Sequence, residues 1–157
     1  MHMTRIQSLP SRPTPGSRLQ EASTVEKTFI NPPDVYSTPW RFNQAIKVNG
    51  AGSLLFLSGI VGYDLDGSLP KDILAQAENT YGSLKRIVEA AGGTLHDVVK
   101  TNVYVGEEYQ IHKDELRDIR SKYFDGEDVP ATTLLRVAGF AQTGYLIEIE
   151  AIAVLDD

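Results

Sequence analysis

The sequence predicts an α+β domain in which two helices cover one face of a sheet and leave the other face bare. Three observations point there. From about residue 29 onward, strand and helix signals follow the order β-β-α-β-α-β-β. Each helix carries a single apolar stripe, and two such helices can cover only one side of a sheet. The last two strand signals, "PATTLLRVAGF" and "YLIEIEAIAV", nevertheless put apolar residues on both faces.

Taken in order, residues 1–28 read as a flexible tail, because Ser, Pro and Arg dominate without apolar periodicity. Its Arg- and Ser-rich, acid-poor composition also suits a transit peptide, but its prolines oppose the amphipathic helix such a peptide needs. Residues 29–157 form a single domain. "NPPDVYSTPW" is an extended lead-in, and "RFNQAIKV" alternates as a strand ending in an Asn49-Gly50 turn. "SLLFLSGIVGY" is a second strand, with Asp66-Gly67 marking the next turn. A helix follows over about 70–91, with Pro70 in its first turn and Gly92-Gly93 as its stop. Its stripe is Ile73, Ala77, Tyr81, Leu84, Ile87, Val88 and Ala91. "VVKTNVYV" is a third strand, and a second helix over about 112–124 turns Leu116, Ile119 and Tyr123 inward.

On the last strand, Ile147, Ile149, Ala151 and Ala153 point one way and Glu148, Glu150, Ile152 and Val154 the other. On the strand before it, Ala131, Thr133, Leu135 and Val137 are read against the helices, leaving Thr132, Leu134 and Arg136 on the bare face. Leu54, Phe56, Ser58, Lys100, Asn102 and Tyr104 can share that face. So apolar a surface calls for a cover, and a second copy of the chain is the natural one.

Composition narrows the function classes. With 15 Lys+Arg against 21 Asp+Glu the net charge is −6, which disfavours a phosphate backbone and hence a nucleic-acid partner. The absence of cysteine excludes disulfides, thiolate metal sites and a cysteine nucleophile, and fits a cytoplasmic protein. No apolar run reaches membrane-spanning length. His96 and His112 have no partner at ligand spacing and read as solvated, so no metal is expected.

Together, "FNQAIKV", "LFLSG", "AENTYGSLKRIVEAAGGTLHDVVKTNVYV", "KYF", "VPATT" and "EIEAIAV" resemble the Rid (YjgF, reactive-intermediate deaminase) family over about residues 40–155. The resemblance implies a chorismate-mutase-like, mixed six-stranded sheet with two helices on one face. It implies a homotrimer with a central barrel and a small-molecule substrate in each of three inter-subunit clefts. It further implies hydrolysis of an imine or enamine without metal or bound cofactor.

By the same resemblance Glu148 is the catalytic glutamate that helps place the attacking water, and Ser58-Gly59 lines the cleft. The family's tyrosine falls on Phe42, its glutamine on Ile60, its asparagine on Arg117, and its carboxylate-clamping arginine on Thr132. Leu134 and Arg136 are read as further binding residues on the Thr132 face. Arg136 reads first as an ion-pair partner of Glu148 or Glu150. Threonine cannot make a bidentate carboxylate contact, so the resemblance points to a specificity altered from 2-aminoacrylate. Related enol or carbonyl chemistry, such as tautomerisation or ring closure, is the neighbouring reading. A non-catalytic small-molecule-binding or protein-protecting trimer is the alternative from another class.

Overall fold

The computed structural model describes residues 24–34, 43, 45–50 and 52–156. Its elements are β1 (Glu26–Ile30), β2 (Ala45–Asn49), β3 (Ser53–Val61), α1 (Ile73–Ala90), β4 (Val98–Val105), α2 (Tyr109–Tyr123), β5 (Ala131–Arg136) and β6 (Ile147–Leu155). β1 lies across the expected tail boundary at 28/29 and pairs antiparallel with β2. It is a strand the sequence reading does not contain.

Among the described residues the six strands divide into two ladders. β1 and β2 form one, and the other runs in the order β3-β6-β4-β5. In the larger sheet β6 is antiparallel to both β3 and β4, while β5 is parallel to β4, so the sheet is mixed as expected. Among the described residues the small ladder joins the large sheet through individual polar groups instead of extending it as one six-stranded ladder. The Val25 N–H donates to Asp156 Oδ1 at 2.8 Å, and Lys27 Nζ reaches the His96 carbonyl at 2.8 Å and Asp97 Oδ1 at 3.1 Å.

α1 begins after Asp72, whose Oδ1 accepts from the Ala75 N–H at 2.9 Å, so this N-cap and not Pro70 sets its start. It ends where Gly92 takes φ +89° and the Gly93 N–H returns to the Val88 carbonyl. Ile73, Ala77, Tyr81, Leu84 and Val88 are buried as the stripe predicts. Ile87 and Ala91 are exposed, because the 3.6-residue repeat gives the inward position to Val88 and turns its neighbours away. α2 starts three residues before the expected position and is interrupted at His112, where φ is −112° and ψ 18°. Leu116 and Ile119 face inward as expected.

The core lies between these helices and one face of the large sheet. β6 contributes Ile147, Ile149, Ala151 and Ala153 to it, as predicted, and Val103 and Val105 of β4 lie beside them. Fully burying an aliphatic side chain such as Leu84 or Ile149 contributes about 1.5–3 kcal/mol. Val154 is buried, against expectation, at the end of β6 where Asp156 holds the edge of the small ladder.

The face assignment of β5 is reversed. Its parallel register sets Thr132 beside Thr101, Leu134 beside Val103 and Arg136 beside Val105, so these three take the helix side. Thr101 is fully buried there, with its hydroxyl 2.8 Å from that of Thr132. Thr133 and Leu135 occupy the bare face, and Lys100 Nζ donates to Thr133 Oγ1 at 2.7 Å. In "ATTLLR" the Thr-Thr and Leu-Leu doublets look alike when shifted by one residue, so hydrophobic alternation could not set the parity.

Candidate site on the bare face of the sheet

The bare face carries Leu54, Phe56 and Leu135, which are 61%, 71% and 51% exposed, together with partly buried Ile152. Among these apolar groups stand Glu148 and Glu150. Glu150 Oε1 accepts from Asn102 Nδ2 at 2.7 Å and from the Tyr104 hydroxyl at 2.9 Å. The Asn102 hydrogen bond first, and the Tyr104 bond second, hold its carboxyl below the usual range despite some desolvation. The same bond raises the pKa of Tyr104, with burial and the charges of Glu150 and Glu148 adding to it. A shallow recess of about 180 Å³ lies beside this group, lined by Phe56, Leu57, Lys100, Asn102, Glu150, Ala151 and Ile152.

Glu148 sits next to an irregularity in β3. Leu57 is opposite Ala151 and Ile60 is opposite Ile149, so Ser58 and Gly59 carry one extra residue as a bulge. The Glu148 carboxylate occupies the space a side chain at 59 would need. A Cβ there would overlap Oε1 and lie 2.8 Å from Cδ. The sequence-predicted trio of Ser58, Gly59 and Glu148 is therefore brought together.

Other expected site residues are placed elsewhere. Ile60 packs against the core, because the bulge turns it to the side of Ile149. Thr132 lies on the helix side with Leu134 and Arg136. Arg136 makes no ion pair with Glu148 or Glu150, because β4 separates β5 from β6 and Arg136 projects from the opposite face. Arg117 pairs with Asp114 at 3.0 Å and Asp118 at 3.6 Å along α2. Phe42 lies outside the described residues.

Three groups here escape sequence reasoning. Arg120 Nη2 reaches Thr132 Oγ1 at 3.3 Å while the guanidinium lies 5.6 Å from the Phe124 ring centroid. Tyr63 and Tyr145 join hydroxyls at 3.0 Å, with their rings edge to face at 5.8 Å. A spacing signal could have flagged Arg120, one turn from Phe124 on the same helix face. Nothing local links Tyr63 to Tyr145, which are 82 residues apart.

Tyr145 also lines a second recess, of about 320 Å³, with Gly106, Glu107, Glu108, Phe140 and Thr143. His112, read as solvated, has a buried Nδ1 without a hydrogen-bond partner among the described residues, 3.7 Å from Glu115 Oε1. No three His, Cys, Asp or Glu side chains gather as a metal cage among the described residues. No described helix is long and apolar enough to cross a membrane.

Comparison with known proteins bears on this geometry. The Endoribonuclease L-PSP family profile matches residues 36–155. A RutC family protein of Pyrococcus horikoshii is 38% identical over 114 residues, covering 71% of this chain and 85% of its own. The 2-iminobutanoate/2-iminopropanoate deaminase of Mus musculus is 31% identical over 115 residues, covering 72% of this chain and 80% of its own. A Rid-family crystal structure from Yersinia pestis, itself described as of unknown function, superposes with a TM-score of 0.73 at 30% identity. That match covers 82% of this chain and 98% of the other.

Proposed function

We propose, from the premise that this chain belongs to the Endoribonuclease L-PSP (Rid/YjgF) family, that it is an imine or enamine hydrolase working at Glu148. The observation that carries the reading is the seating of the Glu148 carboxylate on the Gly59 backbone at the Ser58-Gly59 bulge. An acid on an apolar sheet face is costly to keep without a use or a partner, and Glu150, not Glu148, holds the Asn102 and Tyr104 donors.

In the reaction, water adds to the C=N carbon while Glu148 takes one of its protons and passes it to the imine nitrogen, giving a neutral carbinolamine. Glu148 then moves the carbinolamine's hydroxyl proton to its amine, the C–N bond breaks, and ammonia leaves behind a C=O group. The mouse relative, named as a deaminase of 2-iminobutanoate and 2-iminopropanoate, supports this class. The position where the resemblance puts a carboxylate clamp holds Thr132, which carries no charge and is turned to the helix side, where Arg120 is engaged with its hydroxyl and the Phe124 ring. The specificity is therefore altered from 2-aminoacrylate.

The chain works as a homotrimer, its bare apolar faces buried against one another and its substrates held in the clefts between subunits. The test is Glu148→Gln against Glu150→Gln. On whichever of 2-iminobutanoate and its amide turns over faster, Glu148→Gln should lower the rate about 10²–10⁴-fold, as loss of a positioned base does. Glu150→Gln should lower it far less. Wild-type turnover no faster than the Glu148→Gln variant would leave a non-catalytic binding trimer as the reading.

A further inference from the structure

We propose that Tyr145, backed by Tyr63, is the subsite for the substrate's head group beside Glu148. It selects an uncharged carbonyl head (amide, ester or ketone) over a carboxylate. The inference rests on Glu148 as the reacting centre and adds to it the chemical class of the substrate.

The placement follows from the strands. Val61 of β3 lies opposite Glu148 of β6, and alternation turns the next position, Gly62, toward α1. A Cβ at Gly62 would overlap Gln76 of that helix, so no side chain is admitted there. The Tyr63 N–H then turns back to the Val61 carbonyl at 3.0 Å, so the chain bends at Gly62 and carries Tyr63 past the end of β3. Tyr145 enters three residues before Glu148, and its hydroxyl meets that of Tyr63. The pair holds two phenolic protons. One closes the bond between the hydroxyls, and the other has no acceptor among the described residues. That donor is exposed and belongs to a pair one of whose rings, Tyr145, borders the recess, so it is available to a ligand oxygen.

Charge selects the kind of oxygen. Glu148 and Glu150 stand on the face, Glu107 and Glu108 line the recess that Tyr145 borders, and Lys100 is turned to Thr133. A carboxylate head would be repelled by these acids, whereas a neutral carbonyl needs only one donor. Tyr145 remains such a donor at neutral pH. Its bond to Tyr63 first, then burial and the charges of Tyr63 and Glu148, raise its pKa above that of a free phenol.

The experiment uses two stable ketone probes that differ only in the head group, 2-oxobutanamide and 2-oxobutanoate. Their binding to the full chain is followed by calorimetry. The amide should bind about tenfold more tightly or better. Tyr145→Phe should weaken the amide about three- to tenfold, the worth of one neutral hydrogen bond, and leave 2-oxobutanoate unchanged. Tyr63→Phe should weaken the amide in the same direction. Both variants keep the ring and its edge-to-face contact, and circular dichroism checks the fold. Equal or tighter binding of 2-oxobutanoate, no measurable binding of the amide, or equal loss of both probes in both variants would overturn the proposal. The tyrosines would then be a staple between the ends of two strands. These probes require no turnover, so a Glu148→Gln variant with an unchanged rate would sink the hydrolase reading and leave the head-group preference separately decided.

Discussion

At the scale of single residues, Gly59 is the sharpest constraint. Its neighbour is the far end of a flexible side chain, so an added methyl displaces Glu148 and strains little of the backbone. Gly59→Ala should therefore change unfolding free energy by less than about 1 kcal/mol in urea, while the imine-hydrolysis rate falls nearly as far as in Glu148→Gln. A large loss of stability with a normal rate would make the bulge a folding feature only. Glu148 was legible as a candidate because an acid interrupts an apolar run, and Gly59 because "LFLSG" resembles the family's cleft-lining step. Tyr63 and Tyr145 were not, since each is an ordinary aromatic at a strand end until the fold joins them. The reversal of Thr132 and Thr133 has the same origin, because two identical neighbours give no clue to which one faces inward.

Among the elements, α1 shows how a polar residue can belong to the core. Gln76 is fully buried, and its amide donates to the Pro70 and Gly144 carbonyls, both at 2.7 Å, and accepts from the Leu146 N–H at 2.9 Å. Every function of that amide is satisfied, and α1 is thereby tied to the loop that delivers Tyr145 to β6.

Tyr81 of the same helix stacks on Tyr123 at 5.5 Å and meets Phe124 edge-on at 6.2 Å. Burial pushes its phenol up to about 12, with the charge of Arg120 opposing. A raised folded pKa means its contribution is fully present below the unfolded value of about 10 and is lost as pH rises through about 12. Tyr81→Phe has no such proton to lose. Between pH values of about 9 and 12 it should lose less stability than the wild type, by on the order of 2 kcal/mol in urea titrations. Parallel losses in both proteins would mean that Tyr81 ionises freely in the fold.

For the whole molecule, the decisive feature is an apolar sheet face left uncovered by its own helices. Leu54, Phe56, Leu135 and Ile152 make a surface more hydrophobic than a monomer normally exposes. Light scattering at micromolar concentration should give about three chains per particle, and Phe56→Asp should shift the population toward monomer. A stable wild-type monomer would remove the proposed clefts.

The sequence alone determined that two one-sided helices cover one face of a sheet and that β6 turns its isoleucines and alanines inward, because side-chain direction repeats every 3.6 residues in a helix and every two in a strand. Glu148 and the Ser58-Gly59 step became site candidates through the sequence's resemblance to a known family. Tertiary structure decided the rest. The parity of β5 came from its parallel register with β4, the inward turn of Ile60 from a bulge, and the failure of Arg136 to meet Glu148 from the strand between them. The tyrosine pair came from the meeting of two strand ends. Each of these depends on which strand lies beside which, and in what register, a long-range choice that no local pattern records.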